Sequence, residues 1–518
     1  MNSILILSGT YIVESMQAEL GKIPPAMLPL KSSILFHHQY ESLRGLPSRR
    51  FLSLPWDYEM SPTAKSYVDA VEFEVIRSSS DLKIGEAIYK AILEMKNEDG
   101  GISIIHGDTI VENVDLTMND VYSVDAPESA AYWGVGLPDS RFVRMLCKAE
   151  GTDVLSGYFQ FSSIKLLMKC LQEASYDFLL CLELYSQKIT LKSVKFGRWF
   201  DFGHMETYYN SKSNFTTQRH FNELVIDQTW VSKTSLDLQK LEAEFEWYKA
   251  MPDSLQIYLP RVARVAEGER FVGYKIETLR FCTLAELFCQ GSTPMRTWGR
   301  IANSVTEFLT SCATFQRVDK FDYTAFYYDK TFERLRAFSQ HNMFDLNEKI
   351  IVNGKAIASV NEVFSGAMKL VRMRSEQRLM HGDLCFSNMF YDTRARRIKL
   401  IDPRGQLEVG SHSVYGDSRY DIAKLYHSFI GYYDLIISDN FTLTSQGEYS
   451  FTFDIFVSAY QSEISALFSS CLEELVPDES EIRAITILLF LSMLPLHKDN
   501  LVRQKALLCN ALRLYSEF

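Results

Sequence analysis

Cysteine is sparse and unpatterned in this sequence, and other markers of secreted or metal-binding proteins are missing with it. The nine cysteines are odd in number, and no two of them form a Cys-x-x-Cys pair. This argues against a disulfide framework and a zinc site, and it suits a reducing compartment. The first residues also lack the basic start and the cleavage site of a secretory signal. We therefore predict a cytoplasmic protein.

Acidic residues outnumber basic ones, and long apolar runs are rare. The chain has 54 Lys and Arg residues against 65 Asp and Glu residues, a formal net charge of −11. An acidic chain of this kind is a poor partner for the phosphate backbone of nucleic acids. The apolar residues 484–496 are too few for a membrane span and include Pro495. We predict no nucleic-acid partner, no membrane span, and a buried helix for this stretch.

The sequence does contain enough apolar residues for more than one folded core. Of 518 residues, 47% are hydrophobic and 23% are charged, which is ordinary for folded proteins. A chain of this length predicts two large domains or about three smaller ones. The polar residues 210–214 are predicted to be a linker. They would divide the chain into an N-terminal domain, residues 1–210, and a C-terminal domain, residues 211–518.

Residues 378–406 carry the clearest chemical pattern. A His-Gly-Asp sequence ends at Asp383, Asn388 follows five residues later, and an apolar strand at residues 398–401 leads to Asp402. A proton-accepting carboxylate, an amide oxygen and a second carboxylate are what phosphoryl transfer from a magnesium nucleotide requires. The spacing is that of a kinase catalytic loop. We expect Asp383 to orient and deprotonate an acceptor hydroxyl, and Asn388 and Asp402 to bind Mg²⁺.

The same spacing occurs twice in the chain, so the motif alone is not sufficient. Near the N-terminus, another His-Gly-Asp sequence ends at Asp108, and Asn113 follows five residues later. Only the second copy is followed by a turn and an apolar strand that bring another Asp back, and we assign the catalytic role to it. The alternative for that copy is that Asp383 and Asn388 only cap a turn.

The pattern around Asp383 resembles the aminoglycoside phosphotransferase and choline kinase family of small-molecule kinases, whose loop reads HGDxxxxN with a later Ile-Asp. The resemblance implies an α+β protein-kinase-like C-terminal domain, with a small lobe at about residues 211–282 and a helical large lobe at about residues 283–518. It also implies ATP and Mg²⁺ as cofactors and a small-molecule hydroxyl acceptor. It does not identify that acceptor.

A lysine and a glutamate upstream fit the same interpretation. Residues 221–233 predict a β-hairpin whose second strand carries Lys233. In a kinase, such a lysine contacts the α- and β-phosphates and is held by a glutamate on a helix. The apolar face of the predicted helix 237–250 leaves Glu244 or Glu242 to face the lysine, and we favour Glu244. A solvated lysine at the end of a strand is the alternative for Lys233.

Other positions in this half carry weaker expectations. No Gly-rich phosphate loop precedes the hairpin, because residues 216–222 occupy that place. From chain order alone, backbone groups around Glu277 and Leu279 are predicted to bind the adenine edge. Asp421 matches the aspartate that braces the catalytic loop in the resembled family, or it is an acid near a helix N-terminus. Arg404 would bind an anion on the substrate bidentately or pair with a neighbouring acid.

Strands and helices alternate in the N-terminal half. An apolar run at residues 3–8 predicts a first buried strand. Further strands are predicted at residues 101–105 and 157–161, and helices at residues 37–46 and 85–95. Such alternation predicts an α/β domain with a mainly parallel sheet.

The order of these elements resembles the sugar-phosphate nucleotidyltransferases, which make nucleotide-activated sugars or alcohols. In that family a Gly-Asp and a late Trp-x-Asp-x-Gly each supply one Mg²⁺ ligand, and Asp108 and Asp201 match these positions. Residues 27–30 match part of the family's lysine-containing segment. Two departures count against activity. Only Gly9 remains of the Gly-rich loop, and Pro25 stands where the lysine is expected.

Together these features predict a small-molecule kinase that transfers the γ-phosphoryl group of ATP to a hydroxyl of a sugar, polyol or amino alcohol. If the N-terminal domain is active, nucleotidyl transfer would follow and yield a precursor of surface (capsule) polysaccharide. One alternative is a nucleotidyltransferase with an auxiliary kinase-like domain. Another is a non-catalytic scaffold that binds nucleotide or glycan.

Overall fold

The computed structural model describes most of the chain, and the structural statements that follow concern these residues. They are residues 3–43, 49–96, 100–127, 131–137, 140–147, 152–215, 222–227, 229–268, 270–290, 292–318, 321–373, 376–406, 413–476 and 478–517. The chain divides into two compact units. Unit 1 is Met1–Thr216 with Gln290–Thr293, and unit 2 is Thr217–Cys289 with Pro294–Phe518.

Unit 1 alternates strands with helices. Its strands are β1 (Ser3–Leu7), β2 (Pro29–Leu30), β3 (Ser33–Ile34), β4 (Arg49–Pro55), β5 (Phe73–Ser78), β6 (Ile102–His106), β7 (Thr109–Val111), β8 (Val121–Asp125), β9 (Ala131–Gly136), β10 (Phe142–Cys147), β11 (Val154–Phe161), β12 (Lys192–Val194) and β13 (Trp199–Asp201). Its helices are α1 (Glu14–Leu20), α2 (Leu35–Ser42), α3 (Pro62–Ala70), α4 (Ile84–Glu94), α5 (Ile164–Glu173), α6 (Phe178–Ser186) and α7 (Met205–Ser213).

Seven strands form the central sheet of unit 1, in the order β12-β8-β11-β6-β1-β4-β5. The pairs β1–β4, β1–β6, β4–β5 and β8–β12 are parallel. Strand β11 runs antiparallel to both of its neighbours, β6 and β8. Apolar side chains of β1, β4, β6 and β11 pack with those of α4, α5 and α6 in a buried core. The mainly parallel sheet predicted from the alternation is therefore confirmed.

The predicted linker at residues 210–214 is wrong. Helix α7 continues to Ser213, and its Tyr208 and Tyr209 side chains are buried. Packing of these rings stabilises the helix even though the residues after them are polar, which local composition does not reveal. The division between the two units falls after Thr216.

Unit 2 begins with strands and continues mainly as helices. Its strands are β14 (Asn222–Ile226), β15 (Trp230–Ser235), β16 (Val262–Glu267), β17 (Arg270–Glu277), β18 (Gln316–Val318), β19 (Ile351–Val352), β20 (Lys355–Ala356), β21 (Glu376–Leu379), β22 (Met389–Asp392), β23 (Arg397–Leu400), β24 (Tyr415–Gly416), β25 (Phe441–Gly447) and β26 (Ser450–Ile455). Its helices are α8 (Leu238–Ala250), α9 (Leu284–Gln290), α10 (Met295–Ala313), α11 (Lys330–Asn342), α12 (Val360–Leu370), α13 (Ser418–Phe429), α14 (Tyr433–Ile437), α15 (Ala459–Leu472), α16 (Glu479–Met493) and α17 (Leu501–Ser516).

A four-stranded antiparallel sheet opens unit 2, in the order β14-β15-β17-β16. Helix α8 packs on this sheet, where the ring of Phe245 contacts those of Phe271 and Tyr274. The side chain of Asp237 caps α8 by accepting a hydrogen bond from the Lys240 N–H at 3.1 Å. This cap sets the start of the helix and therefore the direction in which its acidic residues point.

One helical segment of unit 2 meets the length and composition expected of a membrane span. The segment Glu479–His497 has 19 residues and a mean hydropathy of 1.3, and 72% of the tested window is buried inside the protein. The helical segment is longer than the apolar residues 484–496, because α16 begins earlier, in polar residues, and continues into a 3₁₀ turn. Its burial is that of a core helix.

Candidate active site

Three separate elements of unit 2 bring Lys233, Glu244 and Asp402 together. Lys233 lies on β15, between β14 and β17 in the sheet, and Glu244 lies on α8. The Lys233 Nζ is 2.5 Å from Glu244 Oε2 and 3.2 Å from Asp402 Oδ1. The side chains of Lys233 and Glu244 are 9% and 6% exposed, whereas that of Asp402 is 46% exposed. Lys233 therefore contacts a buried carboxylate, that of Glu244, and a partly exposed one, that of Asp402.

The two carboxylates keep the buried lysine charged. Burial lowers the pKa of the Lys233 ammonium, but Asp402 and Glu244 raise it more, so its pKa lies above the usual value. Tyr274 Oη also donates to Glu244 Oε2, at 2.9 Å. An ammonium has three donors, of which the carboxylates use two. One donor remains for a further anion, such as a phosphate oxygen.

The backbone around Asp402 adopts a conformation that few residues tolerate. Asp402 has φ 55°, and its N–H donates to Tyr248 Oη at 3.2 Å. Gly405 has φ 59°, and a Cβ at that position would lie 2.1 Å from the carbonyl oxygen of Ala243 on α8. Only glycine allows such an approach, because it has no Cβ. The segment therefore runs directly along α8, which places Asp402 beside the lysine–glutamate pair.

A β-hairpin brings Asn388 and Asp402 to the same end of two paired strands. Strands β22 and β23 are antiparallel, with Met389 opposite Leu400. The Ile401 N–H donates to the Asn388 carbonyl at 3.0 Å. The residue before β22 and the residues after β23 are therefore neighbours at one end of this hairpin.

Both carboxylate oxygens of Asp383 have a donor. Asn388 Nδ2 donates to Asp383 Oδ2 and to its backbone carbonyl, each at 3.0 Å. Lys424 Nζ lies 2.7 Å from Asp383 Oδ1. Burial lowers the pKa of Lys424, but Asp383 raises it more, so this lysine also stays charged. The two contacts fix the carboxylate of Asp383, which remains 39% exposed.

Lys424 was not among the residues predicted from the sequence. A signal for it exists, because Lys424 follows Asp421 by three residues on α13 and therefore shares its face of the helix. Any helix whose first turn contacts the catalytic loop presents its next turn to that loop as well.

Asp421 braces the backbone of the loop. Its carboxylate accepts hydrogen bonds from the N–H groups of His381 and Gly382, at 2.6 and 2.7 Å. Helix α13 is capped instead by Asp417, which accepts from the Arg419 N–H at 3.1 Å. Bracing is confirmed, and Asp421 also lies in the first turn of α13, so both interpretations of this residue hold. Burial raises the pKa of Asp421 to about 7, while its two N–H donors oppose that change.

His381 is a neutral scaffold residue. It is 1% exposed, and its Nδ1 accepts a hydrogen bond from the Asp383 N–H at 3.2 Å. Burial lowers the pKa of His381 to about 4. The neighbouring Trp247 donates from Nε1 to the Met380 carbonyl at 2.8 Å and packs its ring 5.3 Å from that of His381. These contacts hold the loop without placing a charge on the imidazole.

The oxygen atoms at this site suit a hard divalent cation. Asn388 directs its Nδ2 at Asp383, so its Oδ1 lies on the other side of the amide and is an acceptor. Asp402 adds a partly exposed carboxylate. The described part of the chain contains no group of three or more His, Cys, Asp or Glu side chains that could hold a metal. Two protein oxygens completed by phosphate oxygens are the usual way in which Mg²⁺ is bound.

The two residues predicted to bind adenine lie near the end of β17. Glu277 is its last residue, and its N–H donates to the Arg261 carbonyl at 2.9 Å. Leu279 lies half-buried in the connection between β17 and α9. In the described ranges, no hydrogen bond joins Glu277 or Leu279 to Lys233 or Asp402. The adenine contact stays a prediction.

In unit 1, strand pairing brings Asp108 and Asp201 to the same glycine. Strands β13 and β7 are antiparallel, with Asp201 opposite Thr109. A Cβ on Gly203 would lie 2.7 Å from Asp108 Oδ2 and 3.3 Å from Asp201 Oδ1. The Gly203 N–H also donates to Asp201 Oδ1, at 3.2 Å. The two carboxylates thus converge on one small space that glycine leaves open.

Two lysines of unit 1 could supply the missing cation: Lys22, three residues before Pro25, and Lys195, shortly before Asp201. Both have other partners. Lys22 Nζ is 3.1 Å from Asp57 Oδ2, and both side chains are exposed. Lys195 Nζ is 2.7 Å from Asp125 Oδ1. Pro25 begins a 3₁₀ turn. Both lysines therefore carry ion pairs that would have to break before either replaced the expected lysine.

Comparison with known proteins gives partial matches only. No protein-family model and no curated protein matches the chain. A nucleoside-diphosphate-sugar pyrophosphorylase from Vibrio cholerae RC9 is 14% identical over 40% of this chain and 99% of that chain, with a TM-score of 0.35. A putative glucose-1-phosphate thymidylyltransferase from Bacillus anthracis is 11% identical over 42% and 97% of the two chains, with a TM-score of 0.35. HddC from Yersinia pseudotuberculosis is 18% identical over 42% of this chain and 99% of that chain, with a TM-score of 0.30.

The matched region is the N-terminal one. These low scores describe a partial similarity and bear on no residue role. None of the three proteins is named as a kinase.

Proposed function

We propose that unit 2 transfers the γ-phosphoryl group of a nucleoside triphosphate, ATP, to a hydroxyl of a sugar, polyol or amino alcohol. The observation that carries the proposal is the position of Lys233 Nζ between Glu244 and Asp402, at 2.5 and 3.2 Å. A lysine held by a helix glutamate, beside a carboxylate suited to Mg²⁺, is the arrangement that binds nucleotide phosphates in kinases. The similar solved structures lend no support to a kinase, so the proposal depends on this geometry.

The residues around Asp383 fit the transfer step. The acceptor oxygen would bond to the γ-phosphorus, the bond from that phosphorus to the bridging oxygen would break, and the nucleoside diphosphate would leave. The hydroxyl proton would pass to Asp383, whose carboxylate is held by Asn388 and Lys424. Lys233 would stabilise the phosphate charge. Bound Mg²⁺, held by Asn388 and Asp402, would neutralise more of it.

Release of ADP, measured with ATP, Mg²⁺ and a panel of sugars, polyols and amino alcohols, tests the proposal. Asp402→Ala and Glu244→Ala are expected to lower the rate by about 100-fold or more, because each removes a group that positions or neutralises phosphate. Glu242→Ala is the matched control and should retain activity, because it removes a carboxylate of the same helix that has no ion pair among the described residues. Transfer that survives Asp402→Ala, or no transfer by the wild-type protein with any acceptor, would exclude the proposal.

As a second function we propose nucleotidyl transfer by unit 1, favoured by the convergence of Asp108 and Asp201 on Gly203. Two such carboxylates suit Mg²⁺ bound to a triphosphate. The phosphate of an alcohol or sugar phosphate would attack the α-phosphorus and release pyrophosphate. The product of unit 2 would be a substrate of this kind, and the nucleotide-linked product would be a precursor of surface polysaccharide. Pro25 in place of lysine removes one stabilising cation from this reaction.

Release of pyrophosphate from nucleoside triphosphates and sugar or alcohol phosphates tests the second function. Asp108→Ala and Asp201→Ala should abolish it, because each removes one of the two converging carboxylates. Asp383→Ala should retain it. Absence of pyrophosphate with all four common nucleotides would exclude this function and leave the first proposal intact.

A further inference from the structure

Two cations share one aromatic pair beside the catalytic loop of unit 2. The Arg404 Cζ lies 4.9 Å from the ring centre of Phe326 and 5.8 Å from that of Tyr420. The Lys330 Nζ lies 5.4 and 5.6 Å from the same two ring centres. The two rings meet edge to face, with their centres 4.9 Å apart. Together with Arg334, one helical turn after Lys330 on α11, these side chains form what we call the cationic cluster.

The backbone places the cationic cluster next to Asp383. The Arg404 N–H donates to the carbonyl of His381, two residues before Asp383, at 2.9 Å. Tyr420 lies one turn before Lys424 on α13, and Lys424 Nζ contacts Asp383 at 2.7 Å. The cluster and the proposed proton acceptor therefore border the same side of the loop.

The charge of this cluster is not balanced by protein carboxylates. Within the described residues, no ion pair joins Lys330, Arg334 or Arg404 to an acid. Arg404 therefore has no ion pair with a described acid, and residues 407–412, which include the nearby Glu408, lie outside the described part of the chain. Arg334 Nη1 donates to the carbonyl of Ser492 at 3.1 Å, which leaves its charge uncompensated.

Repulsion between the positive charges of the cluster affects the pKa of Lys330. Burial, followed by the charges of Arg404, Arg334 and Lys424, lowers the pKa of Lys330 well below its usual value, and Asp383 opposes this change. Like charges held together disfavour the charged state unless an opposite charge is added. A bound anion would remove this penalty, so the cluster is preorganised to receive one.

We propose that the acceptor of unit 2 carries an oxyanion, either a phosphate or a carboxylate, which Arg404 and Lys330 bind while the acceptor hydroxyl meets Asp383. This inference depends on the proposed phosphotransferase function and specifies its substrate class. The planar guanidinium matches the paired oxygens of either anion, and the rings beneath it restrict its orientation. A cationic amino alcohol would add to the repulsion, so amino alcohols are expected to be the poorest acceptors.

Matched acceptors test the proposal. ADP release would be measured with ATP and Mg²⁺ for glycerol, glycerate and glycerol 3-phosphate, and for glucose, glucuronate and glucose 6-phosphate, with ethanolamine as the cationic probe. The expected result is a kcat/KM at least about 10-fold higher for an anionic member of a set than for its neutral analogue, because a charged hydrogen bond is gained. The carboxylate and phosphate members show which of the two anions is recognised.

Charge-removing variants show whether the cationic cluster is responsible. Arg404→Gln and Lys330→Gln should raise KM for the anionic acceptor by about 10- to 100-fold with a smaller change in kcat. Arg336→Gln is the matched control, because Arg336 is an exposed cation on the same helix, α11. Its KM should not change.

The outcomes separate this inference from the function on which it depends. If neutral alcohols are phosphorylated as well as anionic ones in a reaction that requires Asp402, the inference is wrong and the kinase proposal stands. Equal KM values for Arg404→Gln, Lys330→Gln and the wild-type protein would also overturn it. If no acceptor reacts, calorimetric binding of inorganic phosphate decides the point. Binding lost in Arg404→Gln and kept in Arg336→Gln supports the anion site, and no binding refutes it.

Discussion

The two His-Gly-Asp sequences of this chain have the same spacing and different structures. In unit 2, Asn388 returns to Asp383 and donates to its carboxylate at 3.0 Å. In unit 1, the chain after Asp108 continues as strand β7, and Asn113 has φ 56° in the turn beyond it. A Cβ on Gly197 would lie 2.8 Å from Asn113 Nδ2, so this amide faces another segment.

The residues between the aspartate and the asparagine explain the difference. Thr109, Ile110 and Val111 are β-branched and favour an extended strand, which carries Asn113 away from Asp108. In unit 2, residues 384–386 form no strand, and a 3₁₀ turn begins at the last of them and covers Phe386–Asn388. The spacing of Asp and Asn therefore does not specify a geometry alone. The conformation preferred by the residues between them also matters.

The source of the second carboxylate also differs between the units. Asp402 reaches its site through a short hairpin, whereas Asp201 reaches Asp108 through pairing of β13 with β7. The first arrangement is local in sequence and the second is not. Sequence patterns are therefore more informative about the site of unit 2.

The largest expected effect separates the two aspartates that end the motifs. Asp383→Asn removes the proton acceptor and should lower kcat for phosphoryl transfer by about 100- to 10,000-fold. Asp108→Asn, the same change at the same motif position in unit 1, should leave this rate unchanged. Steady-state ADP release measures both. Equal losses in the two variants would contradict the division of roles between the units.

A second expected difference concerns the glycines that border the two sites. Gly405→Ala would place a Cβ 2.1 Å from a helix carbonyl at φ 59°. We expect it to destabilise unit 2 by about 2 to 4 kcal/mol through strain and overlap. In Gly203→Ala the new Cβ would contact only the carboxylates of Asp108 and Asp201, which can rotate away. We therefore expect this variant to lose pyrophosphate release while its free energy of unfolding changes less than that of Gly405→Ala. Urea unfolding and both activity assays would measure this, and equal stability losses would contradict it.

The buried histidine of unit 2 predicts a pH dependence of stability. Burial lowers the pKa of His381 from a usual 6.5 to about 4 in the folded protein. Between these pH values the imidazole is protonated in the unfolded chain and neutral in the folded one. The free energy of unfolding should therefore fall as the pH drops from about 6.5 towards 4, by up to about 3 kcal/mol. His381→Gln removes this contribution, so its stability relative to wild type should improve as the pH is lowered through that window.

Unit 1 offers the comparison for this pH effect. Burial, with the adjacent His37, lowers the pKa of His38 to about 4 as well. His38→Gln should therefore shift the pH dependence of unfolding in the same direction. A constant difference between each variant and wild type from pH 7.5 to pH 4.5, measured by urea unfolding, would show that neither histidine is responsible.

The smallest expected effect lies at the two asparagines. Asn388→Ala should lower kcat by less than Asp383→Asn does, because it removes a proposed Mg²⁺ ligand and one of the two donors that hold the Asp383 carboxylate. Asn113→Gly should change the free energy of unfolding by less than about 1 kcal/mol, because glycine relieves the positive φ while adding chain entropy. Loss of stability beyond this range in Asn113→Gly would indicate that its side chain has a structural role.

Several features of the unit 2 site could be predicted because they depend on short-range chemistry. The turn between β22 and β23 is set by Asp392, whose Oδ1 accepts from the Arg394 and Ala395 N–H groups at 2.9 Å. This turn folds the chain back and brings Asn388 and Asp402 together. Their roles as metal ligands, and that of Asp383 as proton acceptor, remain predictions that the geometry favours.

Other features could not be predicted, because they join residues that are distant along the chain. Lys330 lies on α11, far along the chain from Arg404 and Tyr420, and a single charged residue on a helix has no periodicity that reveals its neighbour. Arg404 was noticed from its place after Asp402, but its aromatic neighbours were not. Their closeness results from helix packing, which single-sequence patterns do not encode.

Local sequence was sufficient for the mainly parallel sheet of unit 1, the strand that carries Lys233 and the turn that returns Asp402, because these depend on preferences that act over a few residues. The helix pattern favoured Glu244 over Glu242, but only the fold placed its carboxylate 2.5 Å from Lys233 Nζ. Strand pairing also brought Asp201 beside Asp108. The fold also gathered Arg404, Lys330 and Arg334, which have no ion pair among the described residues, beside the loop that carries Asp383. The physical reason is that such contacts depend on how whole strands and helices pack, and this packing is set by the burial of many apolar side chains at once.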